Sequence, residues 1–309
     1  MNLFSEVIKA KPFLKWAGGK GQLLAAIEAS LPKGLDQKKH LTYIEPFIGS
    51  GAVLFWFLKR FQNVKQAIIN DINPDLYKAY NVIKNDPHSL IQALSALQEA
   101  YYKLKEETDR RSFFLERREA FNTRKENDLK NTALLIFLNR TCFNGLYRVN
   151  SKGRFNVPFG KYHQPKICDA ATILADSQLL QKVTILTGDY EETLPYAGGN
   201  TFFYFDPPYK PISKTSSFNA YAAEAFDDGQ QERLKDFCTK IDTLGFQWLL
   251  SNSDMKNEEE GNHYFERLYQ HNRFHIKRVK AKRNINSVSS KRGEINELLI
   301  ANYPFEKEE

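Results

Sequence analysis

The 309-residue sequence predicts an α/β protein with a doubly wound, mostly parallel sheet, interrupted by a mainly helical insertion that carries a β-hairpin. Three observations predict it. Six short β-rich runs, residues 41–44, 67–69, 183–186, 201–205, 246–250 and 297–301, are bounded by Gly, Asn, Asp and Pro, as strands buried on both faces are. The block between the second and third runs is charged and periodic at helical spacing. The chain is also long enough for a substantial core and one or two domains. Residues 1–74 and 170–309 are therefore assigned to a sheet-bearing domain, and residues 75–169 to a second one.

Taken in order, the first motif is Pro12-Phe13-Leu14-Lys15-Trp16-Ala17-Gly18-Gly19-Lys20-Gly21. A phosphate-binding P-loop would need glycine at Leu14 and Ser or Thr at Gly21, so that reading fails. An aromatic, two glycines and Lys20 remain, a set suited to approaching a ligand carboxylate. The first strand then runs through Pro46-Phe47-Ile48-Gly49-Ser50-Gly51 into the apolar segment 52–58, a strand, a glycine loop and a helix. Glycines there let the backbone come close to a ligand. The loop has no third glycine, so a nucleoside cofactor without phosphates, such as S-adenosylmethionine, fits better than a dinucleotide. The second strand ends in Asn70-Asp71-Ile72-Asn73. An acid at that place binds ribose hydroxyls in doubly wound folds, and its competing role is a helix cap.

In the insertion, Asp86 and Pro87 read as cap and first-turn residue of a helix whose Leu90, Leu94, Leu97 and Tyr101 share one face. Farther on, Asn144-Gly145 and Ser151-Lys152-Gly153 are turn signals among Tyr147, Val149, Phe155 and Val157, hence the hairpin. Phe143, Leu146 and Arg148 cluster at the first turn, near Arg140, Lys152, Arg154 and Lys161. An apolar tip can wedge between base steps, and arginine can contact a guanine edge through two hydrogen bonds. Lys15 reads as a phosphate contact or as an ordinary surface lysine. Asp189, after the third strand, contacts a cofactor or caps the next helix.

The fourth strand, Phe202-Phe203-Tyr204-Phe205, leads into Asp206-Pro207-Pro208-Tyr209. Both prolines restrict their own φ and the residue before them, so the loop is rigid. A carboxylate and the Pro207 carbonyl are paired acceptors for the two N–H bonds of an exocyclic amine. Occupying both hydrogens of an adenine N6 group would draw the nitrogen lone pair out of conjugation and aim it at an electrophile, while Tyr209 stacks on the base. Such catalysis works by positioning and electrostatics and requires no covalent nucleophile.

Composition points the same way. Lys and Arg total 44 against 37 Asp and Glu, a net charge of +7 that favours a polyanionic partner. A basic cluster gathers Arg273, Lys277, Arg278, Lys280, Lys282, Arg283, Lys291 and Arg292. Three scattered cysteines, Cys142, Cys168 and Cys238, form neither a disulfide framework nor a zinc spacing, and none follows a proline as the nucleophile of cytosine-C5 methyltransferases does. His271 and His275 lack a third ligand, so no metal is expected. No apolar run reaches the ~18 residues of a membrane span, and the start has no export pattern. A cytoplasmic location follows.

Lys15-Trp16-Ala17-Gly18-Gly19-Lys20, the glycine loop, Asn70-Asp71-Ile72-Asn73, the run from Asn139 to Arg148 with Phe155-Asn156-Val157-Pro158-Phe159-Gly160, and the tetrapeptide together resemble the Dam-type DNA adenine-N6 methyltransferases, over nearly the whole chain. Residues 211–218 and 289–293 are similar to the subgroup of pneumococcal-type Dam enzymes. The resemblance implies a methyltransferase fold using S-adenosyl-L-methionine, double-stranded DNA as partner, methylation of a flipped adenine within GATC, and a restriction endonuclease as a functional partner if the enzyme serves such a pair. It places Trp16, Lys20, Phe47, Gly49, Gly51, Asp71 and Asp206 at the cofactor, with Asp189 as a further candidate. Asp206, Pro207 and Tyr209 would hold the base. Phe143 would intercalate, Leu146 and Arg148 would read bases, and Arg140 and Lys161 would touch phosphates, with Asn144, Pro158 and Tyr162 completing the DNA set. An N4-cytosine or RNA amino-methyltransferase and a non-catalytic DNA-binding protein are the competing classes.

Overall fold

A computed structural model describes residues 10–16, 20–209, 226–257, 259–270, 274–282 and 294–306. Arg273, Arg283, Lys291, Arg292, His271, Gly18, Gly19 and the segments 211–218 and 289–293 lie outside the described residues.

Among the described residues, seven strands form one sheet: β1 (Leu41–Glu45), β2 (Val64–Asp71), β3 (Val183–Thr187), β4 (Thr201–Phe205), β5 (Gln247–Ser253), β6 (His275–Lys282) and β7 (Glu294–Ala301), in the order β3-β2-β1-β4-β5-β7-β6. β1 is parallel to β2 and to β4, and β4 is parallel to β5; β7 runs antiparallel to both β5 and β6. The mixed, mostly parallel α/β class is the one expected from the sequence. The strand order reverses direction beside β1, between its neighbours β2 and β4, and in such sheets ligands bind beyond the carboxyl ends of the strands at that reversal. β4 is buried along its whole length, which explains its unbroken run of aromatics: each buried phenylalanine contributes about 1.5–3 kcal/mol.

β6 was not among the expected strands. Its sequence, HIKRVKAK, is charged because it is an edge strand, hydrogen-bonded to β7 from His275↔Ala301 to Lys282↔Glu294. Lysines along an edge oppose pairing with another sheet. Lys277, Arg278, Lys280 and Lys282 of the basic cluster therefore lie on a strand.

By contact density the chain separates into two units, one of Met1–Gly19, Gly49–Arg60 and Asn73–Thr187, the other of Lys20–Ile48, Phe61–Ile72 and Gly188–Glu309. The anticipated insertion, residues 75–169, lies inside the first. That unit holds the helices α2 (Ala52–Arg60), α3 (Pro74–Asn85), α4 (Pro87–Tyr102), α5 (Glu107–Thr123), α6 (Asp128–Thr141) and α7 (Ala170–Leu180); the second holds α1 (Leu24–Glu28), α8 (Asp228–Thr243) and α9 (Tyr264–Tyr269). α6 is the centre of the bundle, packed by α3, α4 and α5, and it is apolar on nearly every side because nearly every side is covered. α4 begins as expected, with the Asp86 side chain accepting from Ser89 N at 3.3 Å and Pro87 in the first turn. Leu90, Leu94 and Tyr101 are buried, while Leu97 is half-buried.

The expected hairpin takes a reduced form. Residues 142–159 make two single antiparallel bridges, Cys142↔Phe159 and Val149↔Phe155, and no continuous ladder. A 3₁₀ turn, Phe143–Gly145, replaces a two-residue hairpin loop at Asn144-Gly145, with φ of 55° and 63° at those two residues. The tight reversal is at the second signal, where Gly153 N donates to the Asn150 carbonyl at 2.9 Å.

Candidate active site

Where β4 ends, Asp206 is the first polar residue after five buried ones, and three elements converge on it. Ser251 of β5 donates its hydroxyl to Asp206 Oδ1 at 3.2 Å, and the Tyr204 hydroxyl lies 2.9 Å from the same Ser251 Oγ. Lys20 places Nζ 3.1 Å from Asp206 Oδ1 and 2.9 Å from Glu297 Oε2 on β7. Tyr209 donates to Glu297 Oε2 at 2.7 Å and accepts from Lys20, whose Nζ stands 4.3 Å from the tyrosine ring centroid. Asp206 and Tyr209 of the tetrapeptide and Lys20 of the N-terminal motif thus meet in one cluster.

Burial opposes charge on both members of the Lys20–Asp206 pair, with different outcomes. Burial acts to lower the Lys20 pKa, but Asp206 and Glu297 reverse the effect and hold the ammonium above its ordinary value. Burial pushes the Asp206 carboxyl up to about 6; Lys20 pulls it down and Glu297 pushes it further up. Asp206 is therefore mainly a carboxylate at pH 7, the form that accepts N–H bonds. Glu45, at the end of β1, is 2 % exposed, and burial takes its carboxyl well above the usual range despite a hydrogen bond from Tyr43 at 2.7 Å.

Glu297 and Ser251 escaped the sequence reading. Each had a faint signal: Glu297 is an acid inside the apolar run of a strand, and Ser251 follows Trp248-Leu249-Leu250 at a strand's end.

Asn70 fixes three strand ends at once. Its side-chain amide donates to the Pro46 carbonyl at 3.2 Å and to the Gly188 carbonyl at 3.0 Å, and its own carbonyl accepts from Ile48 N at 3.0 Å. Asp71 follows at the tip of β2. The helix cap in this motif is Asn73, which accepts from Asp75 N at 2.9 Å, so the capping alternative for Asp71 is set aside. Asp189 does cap: it accepts from Glu191 N at 2.9 Å and pairs with both terminal nitrogens of Arg233 at 2.6 and 2.9 Å. Phe47 sits among aromatic rings, 5.1 Å from Tyr190 and 5.9 Å from Phe226 between centroids.

The glycine loop is tight in the way a close-fitting ligand loop must be. Gly49 and Gly51 have φ of 48° and 75°, and a Cβ on Gly51 would lie 2.6 Å from the Tyr80 hydroxyl. A Cβ on Gly49 would lie 3.2 Å from Trp16 Nε1, so Trp16 packs on the loop itself. A side chain at either position would strain the backbone.

The anticipated DNA segment is organised by Asn139, which is 1 % exposed. Its side chain accepts from Lys15 N and donates to the Lys15 carbonyl, each at 2.8 Å, and donates to the Gly145 carbonyl at 2.8 Å. Phe143 is 53 % exposed at the turn, and Asn144, Pro158 and Lys161 are exposed near it in sequence. Lys161 pairs with Glu107 at 3.0 Å, the Tyr162 carbonyl accepts from the Tyr101 hydroxyl at 2.6 Å, and Lys15 Nζ lies 5.3 Å from the Tyr162 ring centroid. Arg148 donates Nε to Asn156 Oδ1 at 2.8 Å and Nη2 to the Asn156 carbonyl at 3.3 Å. Leu146 is half-buried. Arg140 is turned inward, donating to the Phe13 carbonyl at 2.8 Å, and burial lowers its pKa.

A sequence profile described as D12 class N6 adenine-specific DNA methyltransferase matches residues 16–285. The chain belongs to this family. It is 48 % identical over 299 residues to the type II methyltransferase M.MjaIII of Methanocaldococcus jannaschii, covering 96 % of this chain and all of that one. It is 37 % identical to the type II methyltransferase M1.LlaDCHI of Lactococcus lactis subsp. cremoris, over 98 % of this chain and 99 % of the other. The DNA adenine methylase of Escherichia coli K12 is 33 % identical over 96 % of each chain. This D12-class protein is thus an adenine-specific DNA methyltransferase, and the cytosine, RNA and non-catalytic alternatives fall away. The family implies a methyl donor of the S-adenosylmethionine type and DNA as substrate. Among the described residues no group of His, Cys, Asp and Glu is arranged to hold a metal, and no helix is long and apolar enough to cross a membrane.

Proposed function

We propose that this enzyme transfers the methyl group of S-adenosyl-L-methionine to N6 of an adenine flipped out of double-stranded DNA, within GATC, and that it is of the pneumococcal-type Dam subgroup. The observation that carries the chemistry is the cluster at the end of β4, where Asp206 and Pro207 supply adjacent acceptors beyond a strand neighbouring the glycine-loop strand. A stacked base cannot offer N6 in line to a donor, which is the reason to invoke flipping.

Each of the two units supplies residues of the kind the cofactor needs. Gly49 and Gly51 hold the close-approach loop, Trp16 lies on it, Asp71 ends β2 as a ribose acceptor, and Lys20 is a charged partner for a ligand carboxylate. S-adenosyl-L-methionine supplies an electrophilic methyl on a sulfonium when bound. Asp206 and the Pro207 carbonyl accept the two N6 hydrogens, Tyr209 stacks on the base, and Ser251 and Lys20 fix the carboxylate. The GATC assignment rests on similarity of residues 143–148 and 289–293. Residues 75–169 would read the DNA, and a cytoplasmic enzyme, with or without a cognate restriction nuclease, suits that substrate.

Expression in a methylation-free host, followed by sequencing that detects modified bases, tests base, position and context together. Methylation outside GATC refutes the site assignment and leaves the chemistry standing. Asp71→Ala is expected to weaken cofactor binding at least about fivefold, since ribose hydroxyls lose a charged acceptor; calorimetry without DNA measures it, and unchanged affinity would place the cofactor elsewhere.

A pH dependence follows from Asp206. A protonated Asp206 offers one acceptor fewer, so single-turnover methylation should rise with pH through an apparent pKa near 6. Glu297→Gln removes a carboxyl that raises this value, so the limb should move to lower pH. Movement to higher pH would contradict the assignment.

A further inference from the structure

Tyr147 lies between the two expected base readers, Leu146 and Arg148, yet it faces the opposite way. It is 5 % exposed, its ring is stacked on Trp16 with centroids 5.2 Å apart and planes at 26°, and its edge meets Phe155 at 6.0 Å. Its hydroxyl donates to Asp75 Oδ2 at 2.7 Å. Asp75, four residues after Asp71, is clamped in turn by both terminal nitrogens of Arg124 at 2.6 and 2.8 Å. The ring is thus tied on one face to Trp16 and, through its hydroxyl, to a buried carboxylate that also holds Arg124. Trp16 packs against Gly49 of the glycine loop. One side chain therefore joins the base-reading turn, the tryptophan at the loop and the first turn of the helix that follows the ribose-binding motif.

We infer that Tyr147 is a positioning residue that couples target recognition to cofactor binding. Seating Leu146 and Arg148 on the correct bases fixes the backbone of residues 146–148, and with it the plane of the Tyr147 ring. That ring stacks on Trp16, and Trp16 packs against the glycine loop. Because binding couplings are reciprocal, a bound cofactor that orders Trp16 must favour the correct DNA by the same factor. This inference rests on the proposed placement of the cofactor at Trp16 and Gly49.

The experiment measures S-adenosylhomocysteine affinity by calorimetry in the full-length protein, with a duplex carrying the site that the wild type methylates and with a scrambled duplex. The wild type should bind more tightly on the methylated site by about fivefold or more, the lower end of ordinary couplings. Tyr147→Leu should bring that ratio close to one, and Tyr147→Phe, which keeps the ring and loses only the Asp75 bond, should keep most of it. Loss of stability alone would lower both affinities and leave their ratio unchanged. A Tyr147→Leu protein with the wild-type ratio, or a wild type with no difference between duplexes, overturns the coupling. Trp16→Leu separates the two readings: unchanged DNA-free affinity in that variant refutes the cofactor placement, whereas weakened affinity beside an intact ratio in Tyr147→Leu refutes the coupling alone.

Discussion

Asp206→Ala is expected to reduce methyl transfer about 10²–10³-fold in kcat, the scale seen when a preorganised electrostatic partner of a reacting centre is removed. The substitution deletes one of the two acceptors for the N6 hydrogens. It also frees Ser251 from its contact and leaves Lys20, 3 % exposed, with Glu297 and Tyr209. The ammonium keeps one carboxyl partner, so the fold should survive, and a thermal melt beside the activity measurement will show it. Asp206→Asn is the more conservative companion: its amide oxygen preserves a single acceptor at the same place, so activity should fall between wild type and Asp206→Ala. Both are read by transfer of labelled methyl to duplex DNA. Substantial turnover by folded Asp206→Ala protein would sink the paired-acceptor mechanism.

The second large effect is expected on sequence choice. Asn156 engages the Nε and Nη2 atoms of Arg148, which holds the guanidinium plane and leaves its Nη1–Nη2 edge as the one a guanine would take through O6 and N7. Arg148→Ala should then lose about 1–3 kcal/mol of discrimination at one guanine of the site. Asn156→Ala, which frees the plane without removing the charge, should give a smaller loss at the same base. Lys161→Ala should weaken binding to all sequences alike, as a phosphate contact does. Competition binding with single-base variants of the methylated duplex measures all three. Unchanged preference in Arg148→Ala would remove that residue from base reading.

Much of this molecule is written locally. Chemically special loops and fully buried strands announce themselves in any window of six residues, because their constraints are local: two prolines after an acid, glycines between a strand and a helix, an unbroken aromatic run. Hence Asp206, Tyr209, Lys20, Gly49, Gly51, Asp71 and five of the six expected strands could be located approximately, and β4 to the residue, before any coordinates. The cap at Asp86 and the buried face of α4 were equally legible, since helical period and capping chemistry are short-range. The family itself followed from the order of motifs along the chain.

Other features depended on what lies opposite. β6 reads as a basic surface because an edge strand needs only one buried face, and the partner that makes it a strand is β7. The turn at Asn144-Gly145 has hairpin residues but not a hairpin ladder, because its backbone bonds close a 3₁₀ turn, from Gly145 N to the Cys142 carbonyl and from Leu146 N to the Phe143 carbonyl, and the Gly145 carbonyl accepts from Asn139. Glu297 and Ser251 are inconspicuous in sequence and gain meaning only when neighbouring strands bring them to Lys20, Tyr209 and Asp206. Asp189, left between cofactor contact and cap, and Arg140, given a phosphate contact by the resemblance, have partners 44 and 127 residues away, Arg233 and the Phe13 carbonyl. The sequence by itself determined which chemical groups this methyltransferase possesses and the elements that carry them, since propensity, capping and loop rigidity act between near neighbours. Only the tertiary structure decided which polar groups hold one another, because a hydrogen bond or ion pair between distant residues has no signature in either of the segments it joins.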